Sequence, residues 1–173
     1  FMPTFISQFM GTSFSSAFIV NTSVIAINLL LCPVVGMLID KVGRRRCLIV
    51  GCLGFLILSY PVFYILIQQT NAVLMIGLLG ILIVFQTILA VAIVVVSAEV
   101  FPTKLRNSGI GFSYNIAAAV FGGLAPLAAT ALIAATGDNL SITYLMIGSV
   151  LVTLLTSVFL LKGYYVKGKR VSD

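Results

Sequence analysis

GMLIDKVGRRR, residues 36–46, gathers Asp40, Lys41, Arg44, Arg45 and Arg46 into seven consecutive positions. Up to residue 39 on one side, and from 47 to 67 on the other, the flanking runs carry no Asp, Glu, Lys or Arg. Charge is expelled from hydrocarbon and collects where a chain re-enters water, so a knot of charge between two long apolar runs reads as a turn at a membrane surface. Composition agrees. With 61% hydrophobic and 8% charged residues and a mean hydropathy of +1.22, the chain has too little polar surface to coat a soluble globule.

Five charge-free runs extend outward from this turn: 14–39, 47–67, 72–98, 108–136 and 142–161. A helix needs roughly 20 residues to cross a hydrocarbon core of about 30 Å, so each run is long enough to span. Buried helices of a soluble protein are shorter and keep a polar face, which these runs lack. Residues 1–10 are too few to cross and read as the end of an interrupted sixth helix. Phe1 is not an initiator methionine and no basic region precedes a short apolar stretch, so the chain reads as a fragment without a signal peptide.

The ten cations fall only after the first, third and fifth runs: Lys41, Arg44, Arg45 and Arg46; Lys104 and Arg106; Lys162, Lys167, Lys169 and Arg170. The intervening connections, 68–71 and 137–141, have none. By the positive-inside rule the cationic loops and the carboxyl terminus are expected to be cytoplasmic, in a multi-pass membrane protein. Tyr164 and Tyr165 fit the interfacial belt. The net charge of +6 is thereby used for orientation and lipid headgroup contact, and nucleic-acid binding is not expected.

The chemistry available is limited. Histidine is absent, which removes imidazole as base, shuttle or ligand, and Cys32, Cys47 and Cys52 lie in or beside apolar runs without metal-ligand spacing. No catalytic residue, metal site or cofactor is expected, and the chain does not read as an enzyme. In the turn itself, Gly36 suits close helix contact, Gly43 a tight turn, and Asp40 a helix cap or ion pair, while the arginines suit bridges to carboxylates.

These residues resemble the major facilitator superfamily. Gly36, Asp40, Lys41, Gly43, Arg44 and Arg45 match its loop pattern G-x-x-x-D-[RK]-x-G-R-[RK], and AEVFPTKLRNSG, residues 98–109, is similar to its E-x-F-P-T-x-x-R-x-x-G segment. The two motifs stand in two cytoplasmic loops separated by two helices, as that family requires. FPTKLR, the pair Tyr114 and Asn115 followed by GGLAP, and TYLM resemble its bacterial metabolite:proton symporters, a branch that includes proline/betaine transporters. The sugar-porter mark PESPR is missing after the last run, where LLKGYYVKGKR stands.

The resemblance implies an all-α membrane fold of five complete transmembrane helices plus the end of a sixth. Residues 1–173 would form the carboxyl-terminal half of a transporter, from the end of helix seven to helix twelve, partnered by an amino-terminal half and the lipid bilayer. Such halves rock about a midplane site. The function implied is secondary transport of a small polar metabolite or compatible solute, by proton symport. A facilitator or drug exporter of the same superfamily, and a non-transporting membrane subunit or sensor, are the alternatives.

Gly36, Asp40, Gly43, Arg44, Arg45, Glu99 and Arg106 are then placed to form a cytoplasmic gate. Solute contacts are expected from polar groups within the runs: Asn21 and Asn28, seven apart on one helix face; Gln86 and Thr87; and Tyr114 and Asn115. No run holds an ionisable group of Asp, Glu, Lys, Arg or His type, so a coupling carboxylate is expected in the amino-terminal half or the start of helix seven. Residues 47–67, poor in polar groups, read as a lipid-facing peripheral helix, and Pro33, Pro61 and Pro126 with Gly122 and Gly123 as kinks or hinges.

Overall fold

A computed structural model describes residues 2–9, 13–68, 71–102, 104–159, 165–166 and 169–170. The helices are α1 (Met2–Phe9), α2 (Phe14–Val42), α3 (Arg44–Ile67), α4 (Ala72–Val100), α5 (Arg106–Ala117), a π turn (Ala118–Gly122), α6 (Gly123–Thr136) and α7 (Ser141–Phe159). With α5, the π turn and α6 taken as one span, five helices among the described residues are long and apolar enough to cross a membrane. The chain is an all-α membrane protein, and the eight-residue α1, about 12 Å long, does not cross. Downstream, Tyr165–Val166 pairs antiparallel with Lys169–Arg170, a contact too small to alter the class. Gln69, Thr103, Lys162, Tyr164 and Lys167 lie outside the described residues.

Local chemistry fixes the helix ends. Ser13 caps α2, its Oγ accepting from Ser16 N at 3.2 Å, and Asn71 caps α4, its Oδ1 accepting from Val73 N at 2.9 Å. α2 continues through Asp40 and Lys41, and α3 begins at Arg44, so the charged stretch is helical on both sides of one residue. That residue, Gly43, has φ 99° and donates its N–H to Ile39 O at 2.9 Å. A side chain would strain this backbone, which is why glycine makes the reversal. Gly137, at φ 67°, ends α6 in the same way, with its N–H on Ile133 O at 2.8 Å.

Of the three prolines read as hinges, Pro33 and Pro61 sit within unbroken α2 and α3. Around Pro126 the helix changes form. Proline cannot donate to the carbonyl four residues back, Gly122, and the turn that ends on Gly122 widens into a π turn.

α4 lies between α2 and α3, α7 packs on α3, α6 leans on α7, and α1 packs on α2. The consecutive α2 and α3 touch little, because α4 fills the space between them. The α3–α4 seam is built on small residues: a Cβ at Gly51 would lie 3.1 Å from Leu89 Cγ, and one at Gly54 would overlap the Phe85 ring. α3 is therefore not the peripheral helix expected from its composition. It buries Cys47, Leu48, Cys52, Phe55, Val62 and Phe63, among others, against two neighbours, and Ser59 is fully buried with its hydroxyl donating to Leu56 O at 3.2 Å. A hydroxyl satisfied by its own helix costs little to bury, so scarcity of polar groups did not distinguish a lipid face from a packed one.

Candidate functional site

Two features stand out, an amide-lined cavity and a charged helix end. The cavity, about 540 Å³, is walled by α2, α3, α4 and α7. Its volume lies within the range of roughly 300–1,000 Å³ usual for small-molecule sites. Asn21, Asn28 and Gln86 all line it, with Cys32 and apolar wall residues that include Phe55 and Phe63. On α2 the spacing 21, 25, 28, 32 runs down a single face. Asn28 Oδ1 accepts weakly from Cys32 Sγ at 3.4 Å, leaving its amide N–H groups for other partners. Each carboxamide supplies both donors and an acceptor, whereas among the described residues no Asp, Glu, Lys or Arg lines the cavity. The site suits neutral hydrogen bonding.

The structure does not bring the other three expected residues to this cavity. Thr87, one position on from Gln86, is turned about 100° around α4; it is fully buried and its Oγ1 donates to Ile83 O at 2.6 Å. Tyr114 and Asn115 sit on α5, which buries none of its residues, and Asn115 Nδ2 donates to Gly111 O at 2.7 Å. Sequence spacing places residues on a helix face but does not say which neighbour that face meets. Cys32 was missed as a cavity residue, although it stands four positions after Asn28 on the same face.

At the charged end, Arg44 of α3 meets Glu99 of α4, with Nε 2.7 Å from Oε1. The Nε–H is buried and not aligned as a hydrogen bond, so charge rather than a directed bond holds the pair. Arg44 Nη2 also lies 3.9 Å from Asp40 Oδ1, but that carboxylate side chain is 73% exposed and contributes little. Glu99, at 24%, is the shielded partner. Arg45 turns away from both acids and donates to the carbonyls of Ser157 and Val158 on α7, at 3.2 and 3.1 Å. Arg106 buries its Nε without a hydrogen-bond acceptor among the described residues.

The glycines of the two motifs have different reasons. Gly43 makes the reversal described above, and a Cβ at Gly109 would lie 2.5 Å from Phe101 Cδ1, so the Phe and Gly of the second motif fit one another. Gly36, expected to allow close helix contact, has nothing within 4 Å of where a Cβ would stand.

Comparison with known proteins bears directly on these motifs. The family model described as Major Facilitator Superfamily matches residues 1–172. The ectoine/proline transporter ProP of Corynebacterium glutamicum is 34% identical over 147 residues, 84% of this chain and 29% of that protein. The citrate-proton symporter of Klebsiella pneumoniae is 32% identical over 160 residues, 92% of this chain and 36% of that protein. A Staphylococcus aureus protein assigned as a proline/betaine transporter is 28% identical over 160 residues, 92% of this chain and 34% of that protein. The chain thus spans about a third of the length of these relatives. No solved structure matches it. With a family match across almost its whole length and five apolar helices to carry it, this chain belongs to the major facilitator superfamily.

Proposed function

We propose that residues 1–173 are the carboxyl-terminal half of a secondary transporter that moves a small polar metabolite or compatible solute across the plasma membrane by proton symport. The convergence of Asn21, Asn28 and Gln86 on one cavity carries this reading. The similar transporters of an imino acid and of citrate support the solute class. Access alternates as this half rocks against an amino-terminal half. Among the described residues no Asp, Glu, Lys or Arg lines the cavity, so the proton is assigned to a group outside this chain, and this half supplies neutral hydrogen bonds.

Arg44 and Glu99 stand on helices packed along their length, so rocking as a rigid body leaves their pair intact. Their part in gating is to hold the α2–α3 turn in place. Exposed Asp40 is then available for the opposite half to engage.

Uptake by the full-length protein tests the cavity. Asn28→Ala and Gln86→Ala each remove one neutral hydrogen bond, worth about 0.5–1.5 kcal/mol, and are expected to weaken apparent affinity by roughly three- to tenfold with the pH profile unshifted. Thr87→Val, outside the cavity, is expected to leave affinity unchanged. Equal effects at all three positions would sink the assignment of the cavity to solute.

Orientation has its own test. A cysteine at Asn139 is expected to react with impermeant thiol reagents added to intact cells, and one at Lys104 only after permeabilisation. The reverse pattern would invert the topology and put the charged turn outside.

A further inference from the structure

We propose that Arg45 clasps the backbone of α7, and that Arg44 and Arg45 together make the α2–α3 turn a common anchor for α4 and α7. A helix carries the negative end of its dipole toward its C-terminal residues, and each carbonyl there has two lone pairs, so it accepts from a guanidinium whether or not its own helix already uses it. Arg45 meets two such carbonyls, Nε donating to Ser157 O at 3.2 Å and Nη2 to Val158 O at 3.1 Å. Two nitrogens of one planar guanidinium on two successive carbonyls form a fork that a single ammonium cannot reproduce.

Ser157 is buried, and its hydroxyl is turned back onto Leu154 O at 2.8 Å, so it does not compete for the guanidinium. Successive helical residues are rotated by about 100°, which sends the neighbouring Arg44 toward α4 and Glu99 instead. The motif's two arginines therefore do different work. Arg44 answers to carboxylates, and its hold depends on their charge. Arg45 answers to neutral backbone, so a change that releases Arg44 from Glu99 leaves α7 fastened to the turn.

Hydrogen exchange read by mass spectrometry on the full-length protein separates this from a general effect on packing. Arg45→Ala is expected to speed exchange across residues 152–159 about tenfold while leaving residues 95–100 unchanged. Arg44→Ala is expected to do the opposite, and Arg45→Lys to fall between wild type and Arg45→Ala, since it restores the charge but not the fork. Where Arg45→Ala does not accumulate, Arg45→Gln and Arg45→Lys carry the comparison. Unchanged exchange at the end of α7 in the Arg45 variants overturns the proposal, as does acceleration spread equally over α2, α4 and α7.

Discussion

Gly54→Val in the full-length protein is expected to abolish accumulation of folded transporter. A Cβ at this position overlaps the Phe85 ring and stands 2.9 Å from Phe85 Cγ, so turning the ring about its own axis does not relieve the clash. Either Phe85 leaves its rotamer or α3 and α4 separate, and both forfeit packing along the seam at a cost of about 3 kcal/mol or more.

The neighbouring glycines grade the effect. At Gly51 the added atom would sit 3.1 Å from the Leu89 side chain, an overlap that a small shift of leucine accommodates, so Gly51→Ala is expected to cost less. At Gly36 there is open space, and Gly36→Ala is expected to be neutral or to stabilise α2 by roughly 0.5–1 kcal/mol through helix propensity. Folded yield and thermal inactivation temperature measured in one detergent rank the three. Phe85→Ala combined with Gly54→Ala is expected to recover part of the loss; a double variant no better than Gly54→Ala alone would place the defect elsewhere than this contact.

How much of this was legible in the sequence follows from what each signal encodes. Hydropathy counts residues against a bilayer thickness, so five spans and a short α1 could be read directly, and the charge knot located the reversal at Gly43. The helix ends were less legible: α2 runs on through Asp40 and Lys41, because an interfacial helix keeps its hydrogen bonds after the hydrocarbon ends. Packing partners were not legible. Spacing put Asn21 and Asn28 on one face, but Gln86 rather than Thr87 faces them because of where α4 sits between α2 and α3. Arg44 and Arg45 looked equivalent in the motif, and only the positions of α4 and α7 divide them. The π turn could be anticipated only as an irregularity near Pro126, since the missing donor does not say how the helix absorbs it.

The second large effect is expected from reversing the charge of Arg44. Arg44→Glu sets a third carboxylate against Glu99, which is shielded from water, and Asp40, which is not. Attraction at 2.7 Å becomes repulsion, and Glu99 is left partly buried without this cation. Breaking a fully buried pair costs about 3–5 kcal/mol; with both side chains a quarter to a third exposed, about 2 kcal/mol is a fairer expectation. Less folded protein and slower transport should follow. The swap Arg44→Glu with Glu99→Arg is expected to recover most of both, because the pair spans two helices whose separation is fixed by the glycine seam below it. Asp40→Asn is expected to change stability by less than about 1 kcal/mol, as befits an exposed partner 3.9 Å away, so any larger loss of transport in that variant reflects a contact made outside residues 1–173. Transport and thermal inactivation measured on wild type, Arg44→Glu, Glu99→Arg and the swap read the coupling as a double-mutant cycle. A swap no better than its worse single variant would show that Arg44 and Glu99 act separately, and the charged end would then be an orientation signal without a structural pair.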